Sequence, residues 1–218
     1  MKTIRVWDLP TRVFHWALVV IIAGAFITQY LGGAAMDWHF RFGYAALALV
    51  LFRVLWGLIG PRYARFASFL RSPATIVAYL RGRAGAHHSS GHNPLGGLSV
   101  LAMLAVILLQ AGSGLFANDD IASEGPLAHF IDKDMSDQLS WLHAQVTSKL
   151  IYGLVGLHLV AIVFYRVLKK RDLVTPMITG DQAVESDALP ANDGAPVRTA
   201  ALVLMSVCAM GVYGVVHW

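Results

Sequence analysis

The chain has 218 residues, of which 56% are hydrophobic and 14% are charged, and its mean hydropathy is +0.58. A water-soluble domain of this length would need more charged residues to cover its surface. The composition therefore predicts an integral membrane protein. The single cysteine, Cys208, excludes a disulfide framework, and basic cytoplasmic loops explain the net charge of +4 better than nucleic-acid binding does.

Five apolar stretches are long enough, or nearly so, for a helix of about 20 residues to cross the hydrocarbon core. All of them are predicted to be helices, because lipid offers no water to satisfy an open backbone. The stretches lie at about 13–33, 39–59, 97–117, 143–168 and 199–217. The fold class is therefore all-α and membrane-embedded, with a bundle of four helices and a fifth, C-terminal helix.

The loops differ in charge, and this difference predicts their sides of the membrane. Three segments are basic: the N-terminus (Lys2, Arg5, Arg12), the loop after the second span (Arg62, Arg65, Arg71, Arg81, Arg83) and the segment after the fourth (Arg166, Lys169, Lys170, Arg171). The loop after the third span carries six acids and Lys133: Asp119, Asp120, Glu124, Asp132, Asp134 and Asp137. Positive-inside bias predicts a cytoplasmic N-terminus, and a periplasmic acidic loop and C-terminus.

The segment from Thr179 to Pro196 is rich in Asp, Ala, Pro, Gly and Ser, as in "GDQAVESDALPANDGAP". This composition predicts a mobile cytoplasmic linker. The chain is thus predicted to divide into a four-helix domain over 1–178, a linker over 179–198 and an additional helix over 199–218.

Nine histidines are present, and four of them lie within the first four predicted spans or at their ends: His15, His39, His143 and His158. The other five are expected to be solvated or interfacial: His87, His88, His92, His129 and His217. His39 and His143 are predicted toward the outer side of the membrane, and His15 toward the inner side. His158 follows His143 by 15 residues, which is about 4.2 helical turns and roughly 22 Å, so it would lie deeper on a similar face.

The four histidines therefore form two pairs by depth, His39 with His143 and His15 with His158. Facing helices that supply one histidine from each side suit a haem iron, and two axial histidines suit one-electron transfer. Ordinary hydrogen-bonded histidines at helix ends explain the same spacing equally well. His143 and His158 are too far apart to share a zinc ion. A transporter pathway is a further alternative, although the spans contain few acids.

Several residues near these histidines are compatible with haem. Gly43, Gly153 and Gly156 would let a broad ring approach the backbone, although glycine is as common at plain helix contacts. Arg53 lies in the apolar sequence "ALALVLFRVLWGLIG". A haem propionate would satisfy its charge, and snorkelling toward the headgroups would do so equally well.

Four motifs resemble the bacterial cytochrome b561 group, which is related to the b-type cytochrome subunits of nickel–iron hydrogenases. The motifs are "VWDLPTRVFHW", "RFGYAALALVLFRVLWGLIGPRYARF", "GHNPLGG" and "LVTPMITG", and the resemblance runs from about Ile4 to Gly180. It implies a four-helix core with two non-covalent b haems, whose ligands match His15, His39, His143 and His158. It also implies electron exchange between membrane quinones and a redox partner.

Two versions of this function are distinguished by the partner. In the first, the protein passes electrons to a periplasmic c-type cytochrome or another redox subunit. In the second, it is itself a quinone-linked oxidoreductase that acts on a small oxidant such as superoxide. The acidic loop would attract a basic cytochrome and repel an anion, so we favour the first version.

Overall fold

The computed structural model describes residues 2–81, 91–121, 123–184 and 188–218. The elements in these ranges are β1 (Lys2–Arg5), α1 (Leu9–Leu31), a 3₁₀ turn (Gly33–Ala35), α2 (Met36–Ile59), α3 (Phe66–Phe69), α4 (Pro73–Leu80), α5 (Pro94–Gly114), a second 3₁₀ turn (Ala128–Phe130), α6 (Lys133–Trp141), a π-helical turn (Leu142–Thr147), α7 (Ser148–Val167), α8 (Val174–Thr179), β2 (Asp181–Val184) and α9 (Ala195–Val216).

Five helices are long and apolar enough to cross a membrane, which confirms the predicted all-α membrane fold. They are Leu9–Leu31, Gly33–Ile59, Pro94–Gly114, Lys133–Val167 and Ala195–Val216. The fourth begins ten residues before its predicted start at His143, because α6 and the π turn lead continuously into α7. Asp132 starts α6 by accepting a hydrogen bond from the Met135 main-chain N–H at 2.9 Å.

The chain is organised as two compact units, each built from three stretches. Unit 1 comprises Met1–Val13, Val54–Ala102 and Gly156–Ala201. Unit 2 comprises Phe14–Arg53, Met103–Val155 and Leu202–Trp218. The predicted division into a haem domain over 1–178, a linker over 179–198 and an additional helix stays a prediction.

Unit 1 contains a small antiparallel sheet that the sequence patterns did not predict. Strands β1 and β2 pair in register from Lys2 with Val184 to Arg5 with Asp181. Gly180 makes the turn between α8 and β2 with φ of 90°, and its carbonyl accepts the main-chain N–H groups of Val6 and Trp7. A core packs against this sheet and comprises Ile4, Val6, Trp7, Tyr63, Val184 and Ala191.

Within the described residues, the segment after Thr179 has more structure than its composition predicted, since β2 belongs to it. Beyond β2, the Ala191 N–H donates to the Arg5 carbonyl at 2.7 Å, and the Tyr63 hydroxyl donates to the Leu189 carbonyl at 2.8 Å. Composition alone indicated mobility, but the N-terminal strand is a distant partner that satisfies this backbone. These contacts tie the segment before α9 to the N-terminus of the chain.

Asp193 is the electrostatic centre of this connection, with only 8% of its side chain exposed. It accepts hydrogen bonds from Arg5 at 2.9 Å, from the Leu9 main-chain N–H at 2.9 Å and from Arg198 at 3.1 Å. Burial raises the pKa of Asp193, but these hydrogen bonds and the two guanidinium charges outweigh burial and lower the pKa overall. The carboxylate therefore stays ionised and links β1, α1 and α9.

Unit 2 has its own apolar core, which comprises Leu47, Ala48, Leu115 and Val212. Between α1 and α2, Gly32 and Gly33 adopt φ values of 62° and 53°, a conformation that glycine adopts without strain. This turn returns the chain as α2, where Phe42 packs so closely on Gly24 that a Cβ there would lie 2.7 Å from the Phe42 ring. The approach of α1 to α2 places the Ala25 carbonyl beside His39.

Candidate functional site

His39 and His143 lie close together in unit 2. Their ring centroids are 6.1 Å apart and their ring planes meet at 86°. His39 is the fourth residue of α2. His143 was predicted to begin its helix, but it lies in the π turn that joins α6 to α7. The predicted proximity of these two histidines is thus present in the structure.

Each of the two rings is oriented by a main-chain carbonyl. His39 Nδ1 lies 2.9 Å from the Ala25 carbonyl oxygen, and His143 Nδ1 lies 2.8 Å from the Gln110 carbonyl oxygen. A carbonyl can only accept, so Nδ1 carries the proton in both rings. In the neutral imidazole, Nε2 then keeps its lone pair, which is the arrangement of metal-binding histidines.

A cavity of about 270 Å³ opens beside the two histidines. Its wall is largely apolar, and polar side chains also contribute. The apolar residues include Met36, Phe40, Tyr44, Ala111, Leu115 and Ala144, and the polar residues are Gln29, Asn118, Asp119, Ser123 and Ser140. An apolar pocket with a few convergent polar groups is typical of a cofactor site.

Two glycines in this cavity have different roles. A Cβ added at Gly43 would meet no atom within 4 Å, so this residue leaves open space along α2. A Cβ at Gly114 would lie 2.8 Å from Cε1 and 3.0 Å from Nδ1 of His143. Gly114 therefore allows the His143 ring to approach α5. The sequence pointed to Gly43 but not to Gly114, because the glycine at the end of a helix resembles an ordinary C-terminal cap.

The other two predicted ligands belong to different units. His15 lies on α1 in unit 2, half-buried, with its ring 5.0 Å from that of Trp16 in an edge arrangement. His158 lies on α7 in unit 1 and is also half-buried. Their pairing stays a prediction. The spacing of His143 and His158 assumed an unbroken α-helix, and this assumption fails because the π turn has more residues per turn.

Arg53 is buried on α2, with 2% of its surface exposed. Snorkelling requires the charged head to reach the water or the headgroups, so this burial disfavours the snorkelling interpretation. A buried guanidinium is stabilised by an anion or by hydrogen-bond acceptors.

The remaining histidines follow the predictions only in part. His129 and His217 are exposed, whereas His92 is half-buried between aromatic rings. Its ring centroid lies 4.7 Å from that of Trp7 and 4.6 Å from that of Phe69, so the prediction of a solvated or interfacial His92 is wrong. The polar sequence around His92 suggested contact with solvent, and the two aromatic partners could not be foreseen because both are distant in sequence. His87 and His88 lie outside the described residues.

The separation of His39 and His143 is that of two imidazoles on one metal. Imidazole–metal bonds are about 2.0–2.1 Å long, so two rings on one metal would have centres roughly 6 Å apart. The observed 6.1 Å agrees with this separation, and the apolar cavity and the open space at Gly43 are suitable surroundings for a macrocycle. The Gln110 side-chain amide lies 3.0 Å from His143 Nε2, so it would have to turn aside for this ring to bind iron. Within the described ranges, no group of three or more His, Cys, Asp or Glu side chains could hold a metal ion by itself.

Five apolar helices and a pair of facing, carbonyl-oriented imidazoles beside an apolar cavity define the class of membrane-embedded haem cytochromes. The chain belongs to the prokaryotic cytochrome b561 family, whose model matches residues 6–180. It is therefore a b-type cytochrome of membrane electron transfer and binds b-type haem. Comparison with curated proteins and with solved structures gives no match. Helix α9 lies beyond the matched residues.

Proposed function

We propose that this protein is a di-haem b-type cytochrome that moves electrons across the cytoplasmic membrane, between the quinone pool and a periplasmic redox partner. The observation that carries the proposal is the pairing of His39 with His143 at 6.1 Å. Bound haem supplies reversible one-electron chemistry at its iron. The protein supplies the ligands, their orientation and an apolar surrounding.

At the outer site, His39 and His143 would be the axial ligands of one iron. The carbonyls of Ala25 and Gln110 hold the two Nδ1 protons, so Nε2 is the nitrogen of each ring that keeps a lone pair. The Gln110 amide, 3.0 Å from His143 Nε2, would have to turn aside for iron to bind there. Two histidine ligands would leave no open position on the iron, which would favour electron transfer over the binding of small ligands. Such hydrogen bonds also raise the basicity of the ligating nitrogen.

At the inner site, we propose His15 and His158 as the axial ligands of the second haem. Support comes from the similar membrane depth that the sequence predicts for both residues, and from the motif "TRVFHW", which resembles the family. The basic segments support a cytoplasmic N-terminus and a periplasmic C-terminus, which would place this haem toward the cytoplasm.

Absorption spectroscopy and haem quantification on the purified protein test the di-haem assignment. We expect two haems per chain, released without covalent attachment, and a sharp reduced α band typical of low-spin b haem. A preparation that binds one haem per chain at saturation would contradict the di-haem assignment. A protein without any Soret band would contradict haem binding and would favour a transport pathway lined by the histidines.

We propose that Arg53 pairs with a propionate of the inner haem, because its guanidinium is buried on α2 and does not reach the headgroups. Replacing Arg53 with Leu removes a positive charge that favours the added electron. The midpoint potential of the inner haem should fall, and that of the outer haem should change less. Redox titration followed by absorption measures both values, with the exposed Arg41→Leu as the matched control on the same helix. An unchanged or raised inner potential would contradict the pairing.

The acidic loop supports a basic periplasmic c-type cytochrome as the partner, and it disfavours an anionic oxidant such as superoxide. Asp119 lines the cavity beside His39 and His143. Lys133 pairs with Asp120 at 2.5 Å and with Asp137 at 3.0 Å, which neutralises only part of the negative charge. The remaining carboxylates would steer a cation toward the outer haem.

Electron transfer to such a cytochrome should slow about tenfold or more as salt rises from low to physiological concentration. Replacing Asp132, Asp134 and Asp137 together with Asn should slow the low-salt rate and flatten its salt dependence. Asn at position 132 keeps the helix cap. Stopped-flow oxidation in nanodiscs measures the rate, with Asp172→Asn, an exposed carboxylate outside the acidic loop, as the control. A rate indifferent to salt and to these changes would favour a partner within the membrane.

A further inference from the structure

A side-chain hydroxyl follows, by three residues, each of the two carbonyls that orient the ligand rings. Thr28 follows Ala25 on α1, and Ser113 follows Gln110 on α5. The rings meet these carbonyls through Nδ1, whereas iron would bind at Nε2. Contacts at the two carbonyls therefore act on the side of each ring that iron binding leaves unchanged.

The Thr28 hydroxyl shares its hydrogen between two carbonyls of its own helix. Its Oγ1 lies 2.7 Å from the Gly24 carbonyl oxygen and 3.1 Å from the Ala25 carbonyl oxygen. His39 Nδ1 donates to the same Ala25 oxygen at 2.9 Å. The Ala25 oxygen thus receives the ring N–H and part of the hydroxyl hydrogen.

Ser113 repeats this arrangement at the other ring. Its Oγ lies 2.7 Å from the Leu109 carbonyl oxygen and 3.1 Å from the Gln110 carbonyl oxygen, the same two distances as at Thr28. His143 Nδ1 donates to the Gln110 oxygen at 2.8 Å. Ser113 is 5% exposed, so its hydroxyl is held within the protein.

The sharing of each carbonyl weakens its hydrogen bond to the ring. A carbonyl oxygen has two lone pairs, and within an α-helix it already accepts the N–H four residues further on. The ring N–H therefore competes with the hydroxyl for the remaining capacity of the oxygen. A hydrogen bond from Nδ1 raises the basicity of the ligating nitrogen, so a weaker one leaves Nε2 less basic.

We propose that Thr28 and Ser113 are positioning residues that raise the reduction potential of the haem ligated by His39 and His143. This inference rests on the proposed function, because it requires iron at Nε2 of both rings. A less basic ligand stabilises oxidised iron less, so the iron accepts an electron more readily. The two hydroxyls act on separate ligands of one iron, so their effects should add.

Redox titration of Thr28→Val and Ser113→Ala tests this proposal, and the haem that is lost in His143→Ala identifies the outer one. Each variant leaves the carbonyl to the ring, so the outer midpoint potential should fall while the inner one stays unchanged. The one-electron equilibrium should shift by about twofold to tenfold, where tenfold corresponds to about 59 mV. The double variant should show the sum of the two shifts.

The conservative variants Thr28→Ser and Ser113→Thr keep the hydroxyl and should keep the original potential. Ser148→Ala is the matched control, since this hydroxyl donates at 2.6 Å to the Ala144 carbonyl, which orients neither ring. Low-spin EPR of the oxidised protein is a second measurement. The outer-haem signal should shift in Thr28→Val and Ser113→Ala and stay unchanged in the conservative variants and in the control.

The outcomes separate this inference from the proposed function. Two bound haems with an unchanged or raised outer potential in Thr28→Val and Ser113→Ala would overturn the tuning role, while the di-haem assignment stands. Loss of the outer haem in both variants would also overturn it, because the hydroxyls would then be required for ligation itself. Should one variant fail to fold, the other decides the question. Retention of both haems in His39→Ala and His143→Ala would instead overturn the proposed ligation.

Discussion

Replacing either His39 or His143 with Ala is expected to remove the same haem, so that the haem content falls from two per chain to one. Each substitution removes one of two imidazoles whose centres lie 6.1 Å apart, and alanine offers no replacement ligand. The remaining haem should keep its low-spin spectrum. Haem quantification, absorption spectra and redox titration of the purified variants measure the effect.

Replacing His15 or His158 should remove the other haem, and the two should again give matching spectra. His129→Ala and His217→Ala are the matched controls, because both rings are exposed, and they should retain two haems. Four variants that all kept two intact low-spin haems would refute the ligand assignment. Loss of different haems from His39→Ala and His143→Ala would refute the pairing while leaving haem binding itself in place.

Replacing Gly114 with Ala is expected to disrupt the outer haem as strongly as loss of a ligand. The new Cβ would lie 2.8 Å from Cε1 of His143, closer than van der Waals contact allows. The ring would have to move away from the Gln110 carbonyl, which orients its Nδ1. Overpacking of this kind costs about 1–3 kcal/mol, and the ligand geometry would change with it.

Gly112→Ala is the matched control for Gly114→Ala. Gly112 lies on the same helix two residues earlier, and a Cβ there would meet no atom within 4 Å. Alanine is also the better helix former, so the control should fold at least as well. Both variants are compared by haem content and by EPR of the oxidised protein. Normal outer-haem signals in Gly114→Ala would show that His143 does not depend on this close approach.

Long-range contacts explain where prediction from the sequence failed. The segment after Thr179 is polar and rich in Ala, Pro and Gly, so it was predicted to be mobile. In the structure, β2 pairs with β1, and Asp193 accepts hydrogen bonds from Arg5 and Arg198. Strand pairing between residues about 180 positions apart leaves no local pattern, because the partner supplies the hydrogen bonds.

The amino-acid sequence by itself determined the five membrane-spanning helices, since lipid selects apolar stretches by length and composition. It also singled out His39 and His143, because a polar ring in an apolar helix is conspicuous. Only the tertiary structure revealed the close approach of Gly114 to His143, the Gln110 carbonyl that orients the His143 ring, and the burial of Arg53. Glycine and glutamine are ordinary residues in a helix, and their effect on His143 depends on distances between helices that no single stretch of sequence contains.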